Sequence, residues 1–147
     1  MKLLDRHETV LVIIGTGGAR PEHDRRLAER LQQDIDRRGE GLTYRRAVLL
    51  SDEAFLRRPG LQHHPTIAVG GPGVNAVAHY YAASLPTVWR EEERSFVQAE
   101  LDDGAQRVAL WGMDAATTAR AVHAFVAQGF LDAMLERIWR LRLDQVM

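Results

Sequence analysis

Short apolar runs alternate with longer amphipathic stretches along most of the chain. The first run, Val10–Ile14, is rich in β-branched residues and leucine, which is typical of a strand buried on both faces of a parallel sheet. After a glycine-rich turn, apolar residues recur at helical spacing from Leu27 to Ile35 while the opposite face is charged. Gly39 is a typical helix stop. The pattern therefore predicts a strand, a turn and a helix in this order.

The same alternation continues towards the C-terminus. Further strands are predicted at residues 44–50, 66–69, 86–89, 95–101 and 107–111, and helices at 52–57, 74–81, 115–128 and 130–143, with a loop at 61–65. Because strand and helix alternate three times, we expect a mostly parallel sheet covered by helices. The glycine-containing loop after residue 101 predicts an antiparallel hairpin at one edge. Residues 1–147 are thus predicted to form a single α/β domain, a three-layer sandwich that is flavodoxin- or Rossmann-like.

Composition narrows the chemistry that such a domain can perform. The formal net charge of −1 argues against a dedicated nucleic-acid binder, which would carry a basic excess. Lys2 is the only lysine, so neither a P-loop lysine nor an internal Schiff-base lysine is available. The chain has no cysteine, which excludes thiolate nucleophiles, disulfides and cysteine-bound metals.

Targeting, metal and nucleophile signals are also weak. The N-terminal apolar run is too short for a signal-peptide core or a membrane span, so we expect a cytoplasmic protein with no membrane partner. His63 and His64 are adjacent, a spacing that rarely chelates one ion, and no metal is expected. No serine lies in a nucleophile elbow. We recognise no catalytic residues and expect no cofactor, which leaves open whether the chain is an enzyme.

Two glycine-rich turns are the main candidate for a ligand site. Each follows a predicted parallel strand and precedes a helix, so both belong to the edge where ligands of open α/β sheets bind. Helix N-termini and glycine amides at that edge favour anions, and an arginine in the first turn can neutralise a phosphate. The candidate ligand-binding residues are Thr16, Gly17, Gly18, Arg20, Gly71, Gly73, Asn75 and Asp114.

Each of these candidates also has a purely structural alternative. The first turn lacks the full G-x-G-x-x-G spacing, and its glycines are equally consistent with a tight turn at positive φ. Asn75 can hydrogen-bond its own turn, and Asp114 can cap the helix that follows it. The same choice arises at Ser51-Asp52, where we expect a helix cap.

Two stretches together resemble the α/β domains of archaeal surface-layer proteins. They are the VGGP-x-VN turn within residues 67–75 and the G-x-DA-x-x-T-x-x-A helix start that follows residues 109–111. The resemblance implies a self-associating, non-catalytic domain, and it supplies no catalytic residues.

The predicted C-terminal helix has an unusually broad apolar arc. Such a helix must bury two sides, one on the sheet and one elsewhere, so Leu131, Leu135 and Trp139 are predicted at a homo-oligomer interface. The alternative is a deep sheet–helix layer that takes up the whole arc.

The resulting hypothesis is a non-catalytic, self-associating binding or structural module with a glycine-lined crevice. The alternative is a small enzyme or sensor that binds a nucleotide or another phosphate-bearing ligand at the glycine turns.

Overall fold

The computed structural model describes residues 4–5, 7–18, 21–102 and 105–146, with the side chains of 21 and 140–146 left out of that description. The strands are β1 (Val10–Ile14), β2 (Ala47–Ser51), β3 (Thr66–Val69), β4 (Thr87–Glu91), β5 (Ser95–Glu100) and β6 (Arg107–Gly112). The α-helices are α1 (Pro21–Arg38), α2 (Asp52–Arg57), α3 (Ala76–Ser84), α4 (Ala115–Ala127) and α5 (Phe130–Val146), and Pro59–His63 forms a 3₁₀ turn.

The described strands form one sheet in the order β2-β1-β3-β6-β5-β4. Strands β2, β1, β3 and β6 are parallel to one another, whereas β5 runs antiparallel to both β6 and β4. The predicted mostly parallel sheet and its antiparallel edge hairpin are therefore confirmed. The chain turns back from β2 to place β3 on the other side of β1, and this reversal creates a topological switch point between β1 and β3.

Helices cover both faces of the sheet, which confirms the three-layer, flavodoxin- or Rossmann-like sandwich. Val10, Val12 and Ile14 point towards α1, α4 and α5, while Leu11 and Ile13 point towards α2 and α3. Every residue of β1 is consequently buried. This two-sided burial explains why the strand is a continuous apolar run rather than an alternating one.

Several predicted boundaries differ from the structure by a few residues, and α3 begins at Ala76 rather than at residue 74 because Asn75 is its N-cap. Residues 44–46 were expected in β2 but form a turn, because the Arg45 amide donates to the Leu42 carbonyl and the chain curls back over Gly39. A Cβ on Gly39 would lie 1.8 Å from the Arg45 carbonyl oxygen. Residues 61–63, expected as loop, complete the 3₁₀ turn that begins at Pro59.

Helix α5 packs its described apolar side chains, within residues 130–139, into the core of one copy of the chain. Leu131, Leu135 and Trp139 are 0%, 3% and 7% exposed, so the three residues predicted at a subunit interface serve the core instead. The Trp139 indole N–H donates to the Glu8 carbonyl at 3.0 Å, and the Arg45 guanidinium lies over the ring. For these three residues the structure shows the alternative arrangement, in which the layer between sheet and helix is deep enough to bury them. Self-association stays a prediction, and it would have to use other surfaces.

We predict that Trp139→Ala lowers the free energy of unfolding by about 3–5 kcal/mol, since it removes a buried aromatic ring and leaves a cavity. Trp139→Phe keeps most of the ring but loses the N–H bond to Glu8, so a loss of about 1–2 kcal/mol is expected. Urea unfolding followed by circular dichroism measures both. Trp89→Ala, on the partly exposed edge strand β4, is the control and should cost less than Trp139→Ala. A loss below about 1 kcal/mol for Trp139→Ala would contradict the packing.

Candidate functional site

Three turns meet at the carboxyl edge of the parallel strands. They are residues 15–18 after β1, residues 70–75 after β3 and residues 113–114 after β6. The two stretches that carry the surface-layer resemblance are the second and third of these turns, and they lie next to each other because β3 pairs with β6. The edge therefore gathers the candidate residues from distant parts of the chain, as the sequence predicted.

The switch point between β1 and β3 is filled by the chain itself. The Gly17 amide donates to the Val74 carbonyl at 3.0 Å, which joins the two glycine turns directly. A Cβ on Gly15 would lie only 2.1 Å from the same carbonyl oxygen, so no other residue fits at this position. Val74 also packs against Gly18. The described parts of the two glycine turns are therefore in direct contact at the switch point.

Asn75 completes this closure. Its side-chain amide donates to the carbonyl of Ile13, near the end of β1, at 3.1 Å and to that of Val69, the last residue of β3, at 3.0 Å. Its side-chain oxygen accepts from the Val77 and Ala78 amides, which makes it the N-cap of α3. The residue is 1% exposed. The structural alternative for Asn75 is thus the one observed, and its polar groups have partners within the fold.

We predict that Asn75→Asp destabilises the fold by at least about 3 kcal/mol, because a carboxylate oxygen would face two carbonyl oxygens in a buried site. Asn75→Ser keeps an oxygen that caps α3 and loses the tether to the strands, so its effect should be smaller. Thermal and urea unfolding of the two variants measure the difference. Equal stability of Asn75→Asp and the parent chain would contradict this role.

A buried carboxylate that the sequence analysis treated as a cap lies beneath the first turn. Asp52 accepts the Thr16 hydroxyl at 2.8 Å, the Glu53 amide at 2.9 Å and the Ala76 amide at 2.8 Å. It thereby joins the β1–α1 turn to the N-termini of α2 and α3. The expected cap of α2 is confirmed in its neighbour Ser51, whose hydroxyl oxygen accepts the Ala54 amide.

The open space lies one strand further along, between the β3–α3 and β6–α4 turns and the first turn of α1. It is a cleft of about 490 Å³. Its described lining residues are Gly17, His23, Asp24, Gly71, Pro72, Gly73, Val74, Trp111, Gly112, Met113, Asp114, Ala115 and Thr118. This lining combines glycine backbone, an apolar wall and two carboxylates, with an imidazole and no arginine or lysine.

Asp114 caps α4, as the structural alternative predicts, and it also lines the cleft. Its carboxylate accepts the Thr117 amide and hydroxyl and pairs with Arg94 at 2.8 Å. The hydrogen bonds from Thr117 and the charge of Arg94 lower the pKa of Asp114 to about 2, so the group is ionised at neutral pH. Thr118, behind it, donates to the Asp114 carbonyl and accepts the Gly112 amide.

Asp24 is the group in the cleft that sequence reasoning missed. It is partly buried, and one carboxylate oxygen lies 2.7 Å from the position that a Cβ on Gly70 would take. Burial raises the pKa of Asp24, and the nearby His23 lowers it by less. Among the described residues none donates a hydrogen bond to this carboxylate. His23 is fixed beside it, since its Nε2 lies 3.0 Å from the Ala115 carbonyl and must carry the proton.

The predicted ligand residues are therefore divided by the structure. Gly17, Gly71, Gly73 and Asp114 line the cleft together. Thr16 is bonded to Asp52, while Gly18 and Asn75 pack at the filled switch point. Arg20 lies outside the described residues. His23 and Asp24 lie in the first turn of α1, where an acid complements the helix dipole, and nothing in the local sequence marks them as cleft residues.

Comparison with known proteins adds no assignment. No protein-family model matches the chain, and no curated protein matches it in sequence. Within the residues that the structure covers, no three histidine, aspartate or glutamate side chains are grouped so that they could hold a metal ion. In the same part of the chain, no helix has the length and apolar character needed to cross a membrane.

We predict that Asp24→Asn makes the fold slightly more stable at pH 7. Because burial raises the pKa of Asp24 above its unfolded value of 3.8, folding is opposed once the group is ionised. The parent chain should lose stability as pH rises from 3.8 through the raised pKa, and the variant should not. In a chain of this size, each 1 kcal/mol of added stability raises Tm by about 2–4 °C.

Thermal unfolding at a series of pH values measures this difference between Asp24→Asn and the parent chain. Asp132→Asn, at an exposed ion pair on α5, is the control and should show no such window. A variant that is less stable than the parent chain at pH 7 would contradict the assignment of Asp24 as a group that the fold does not need.

Proposed function

We propose that this chain is a small-molecule-binding module whose glycine-lined cleft between the β3–α3 and β6–α4 turns takes a ligand that donates hydrogen bonds to Asp24. The observation that carries the proposal is the partly buried Asp24 carboxylate, which lines the cleft without a donor among the described residues. Buried polar groups in native folds almost always have partners, so a carboxylate in a cleft without one is suited to an incoming donor.

A phosphate-bearing ligand, the alternative from the sequence, has less support from this geometry. An anion site needs free amides, but many amides at this edge already donate within the chain. They are those of Gly17, Gly70, Val74, Asn75, Ala76, Gly112, Met113 and Asp114. A phosphate in the cleft would also face the carboxylates of Asp24 and Asp114, which repel it.

Binding rather than catalysis is the function that the lining supports. The Thr118 hydroxyl donates to the Asp114 carbonyl, and Asp114 is held by its cap and by Arg94. Neither is positioned as an activated nucleophile next to a base. The resemblance to surface-layer domains supports the same non-catalytic class, and residues from both of its motifs line the cleft.

A thermal-shift screen against small neutral, cationic and anionic compounds tests the proposal. A ligand at about 100 times its Kd should stabilise the fold by about 2.7 kcal/mol, which is a readily measured shift in Tm. Gly71→Leu is the blocking variant, because a Cβ there points towards the Gly112 carbonyl and the Trp111 ring without a clash. Gly60→Leu is the matched control, since its Cβ meets open space outside the cleft.

Hits should stabilise the parent chain and Gly60→Leu and should fail to stabilise Gly71→Leu. Hits that stabilise all three chains equally would place binding elsewhere and refute the proposal. A screen with no hit in any charge class would refute it as well.

A further inference from the structure

We propose that the ligand of this cleft is an organic cation, a protonated amine carried on a flat apolar body, which the Asp24 carboxylate and the Trp111 ring recognise together. The inference rests on the proposed function and names the ligand class for the same site. It follows from three features of the lining: a fixed aromatic wall, a negative charge balance and a set of groups that accept rather than donate hydrogen bonds.

Trp111 is a partly exposed aromatic side chain that the fold holds in one position. Its indole N–H donates to the Gln98 side chain at 2.8 Å, and Gln98 in turn donates to the Leu85 carbonyl at 3.0 Å. Phe96 stacks on the ring with centroids 4.4 Å apart. A Cβ on Gly71 would come within 4.0 Å of the ring, so the glycine leaves this part of the indole uncovered. Such a pre-organised ring binds flat apolar groups and cations at little entropic cost.

The charges around this wall favour a cation. Asp24 and Asp114 contribute two carboxylates, and the second is ionised at neutral pH. Arg94 pairs with Asp114, whereas the described residue that acts electrostatically on Asp24 is the weaker base His23. The described lining contains no arginine or lysine. A cation entering the cleft therefore gains most from Asp24, which no described arginine or lysine neutralises.

The hydrogen-bonding groups point the same way. A carboxylate accepts only, and the Nε2–H of His23 already donates to the Ala115 carbonyl. An ammonium group brings three donors and no acceptor, which complements this set. A hydroxylated neutral molecule meets it less well because it has no charge, and an anion meets repulsion.

Three compounds with the same aromatic body separate these ligand classes. Isothermal titration of 2-phenylethylamine, 2-phenylethanol and phenylacetate is carried out at pH 7 and low ionic strength. We expect the amine to bind at least about tenfold more tightly than the alcohol, with phenylacetate the weakest. Added salt should weaken the amine and leave the alcohol unchanged, because screening acts on the charged pair.

Variants then assign the contacts. Asp24→Asn should bring the amine and the alcohol to within about threefold of each other, whereas Asp132→Asn on α5 should preserve the difference. Trp111→Leu should weaken the amine and the alcohol alike, because both use the ring. Circular dichroism of each variant establishes that it is folded before the titration is interpreted.

The outcomes separate this inference from the proposed function. Alcohol or phenylacetate binding as tightly as the amine would overturn the cation assignment while leaving the cleft as a binding site. The cation assignment also fails if the screen yields Gly71-dependent hits that are all neutral or anionic. If the screen yields no Gly71-dependent hit at all, the proposed function itself fails.

Discussion

The close contact between the first two glycine turns is the constraint on which the site depends. The Val74 carbonyl occupies the space that a side chain at residue 15 would need, and it accepts the Gly17 amide. In open α/β sheets the gap at a topological switch point is the usual ligand crevice. Here Val74 and Asn75 fill it, so the opening moves to the neighbouring pair of strands, β3 and β6.

A buried carboxylate makes that closure rigid. Asp52 joins the turn after β1 to the starts of α2 and α3, and it is 3% exposed. The donors around it provide hydrogen-bond partners for its oxygens, which would be costly to bury without them. Asn75 ties the same region to the ends of β1 and β3. The inner wall of the cleft is consequently fixed before any ligand arrives, and a fixed wall lowers the entropic cost of binding.

Local sequence signals predicted the parts of the fold that local physics decides. The two-sided burial of β1, the glycine turns, the Asp114 cap and the hairpin at the sheet edge all follow from short patterns of residue types. The burial of α5 cannot be predicted in this way, because Trp139 contacts Glu8 and Arg45, which lie far from it in the sequence. The depth of that layer is a tertiary property, and a broad apolar arc alone cannot distinguish it from an interface.

The candidate site also depends on tertiary packing that local sequence patterns do not determine. The sequence predicted that the glycine turns share an edge with Asp114, but it could not show that the first two turns touch each other. Asp24 gave no signal of its own, since whether a residue in a first helical turn faces a cleft depends on how α1 docks on the sheet. In the structure, Asp24 stands out when its hydrogen bonds are compared with those of the neighbouring polar residues. Asn75, Asp52 and Asp114 all have partners within the chain, whereas Asp24 has no donor among the described residues although burial disfavours its charge. A group that costs stability and gains no internal contact is one that a ligand is suited to complete.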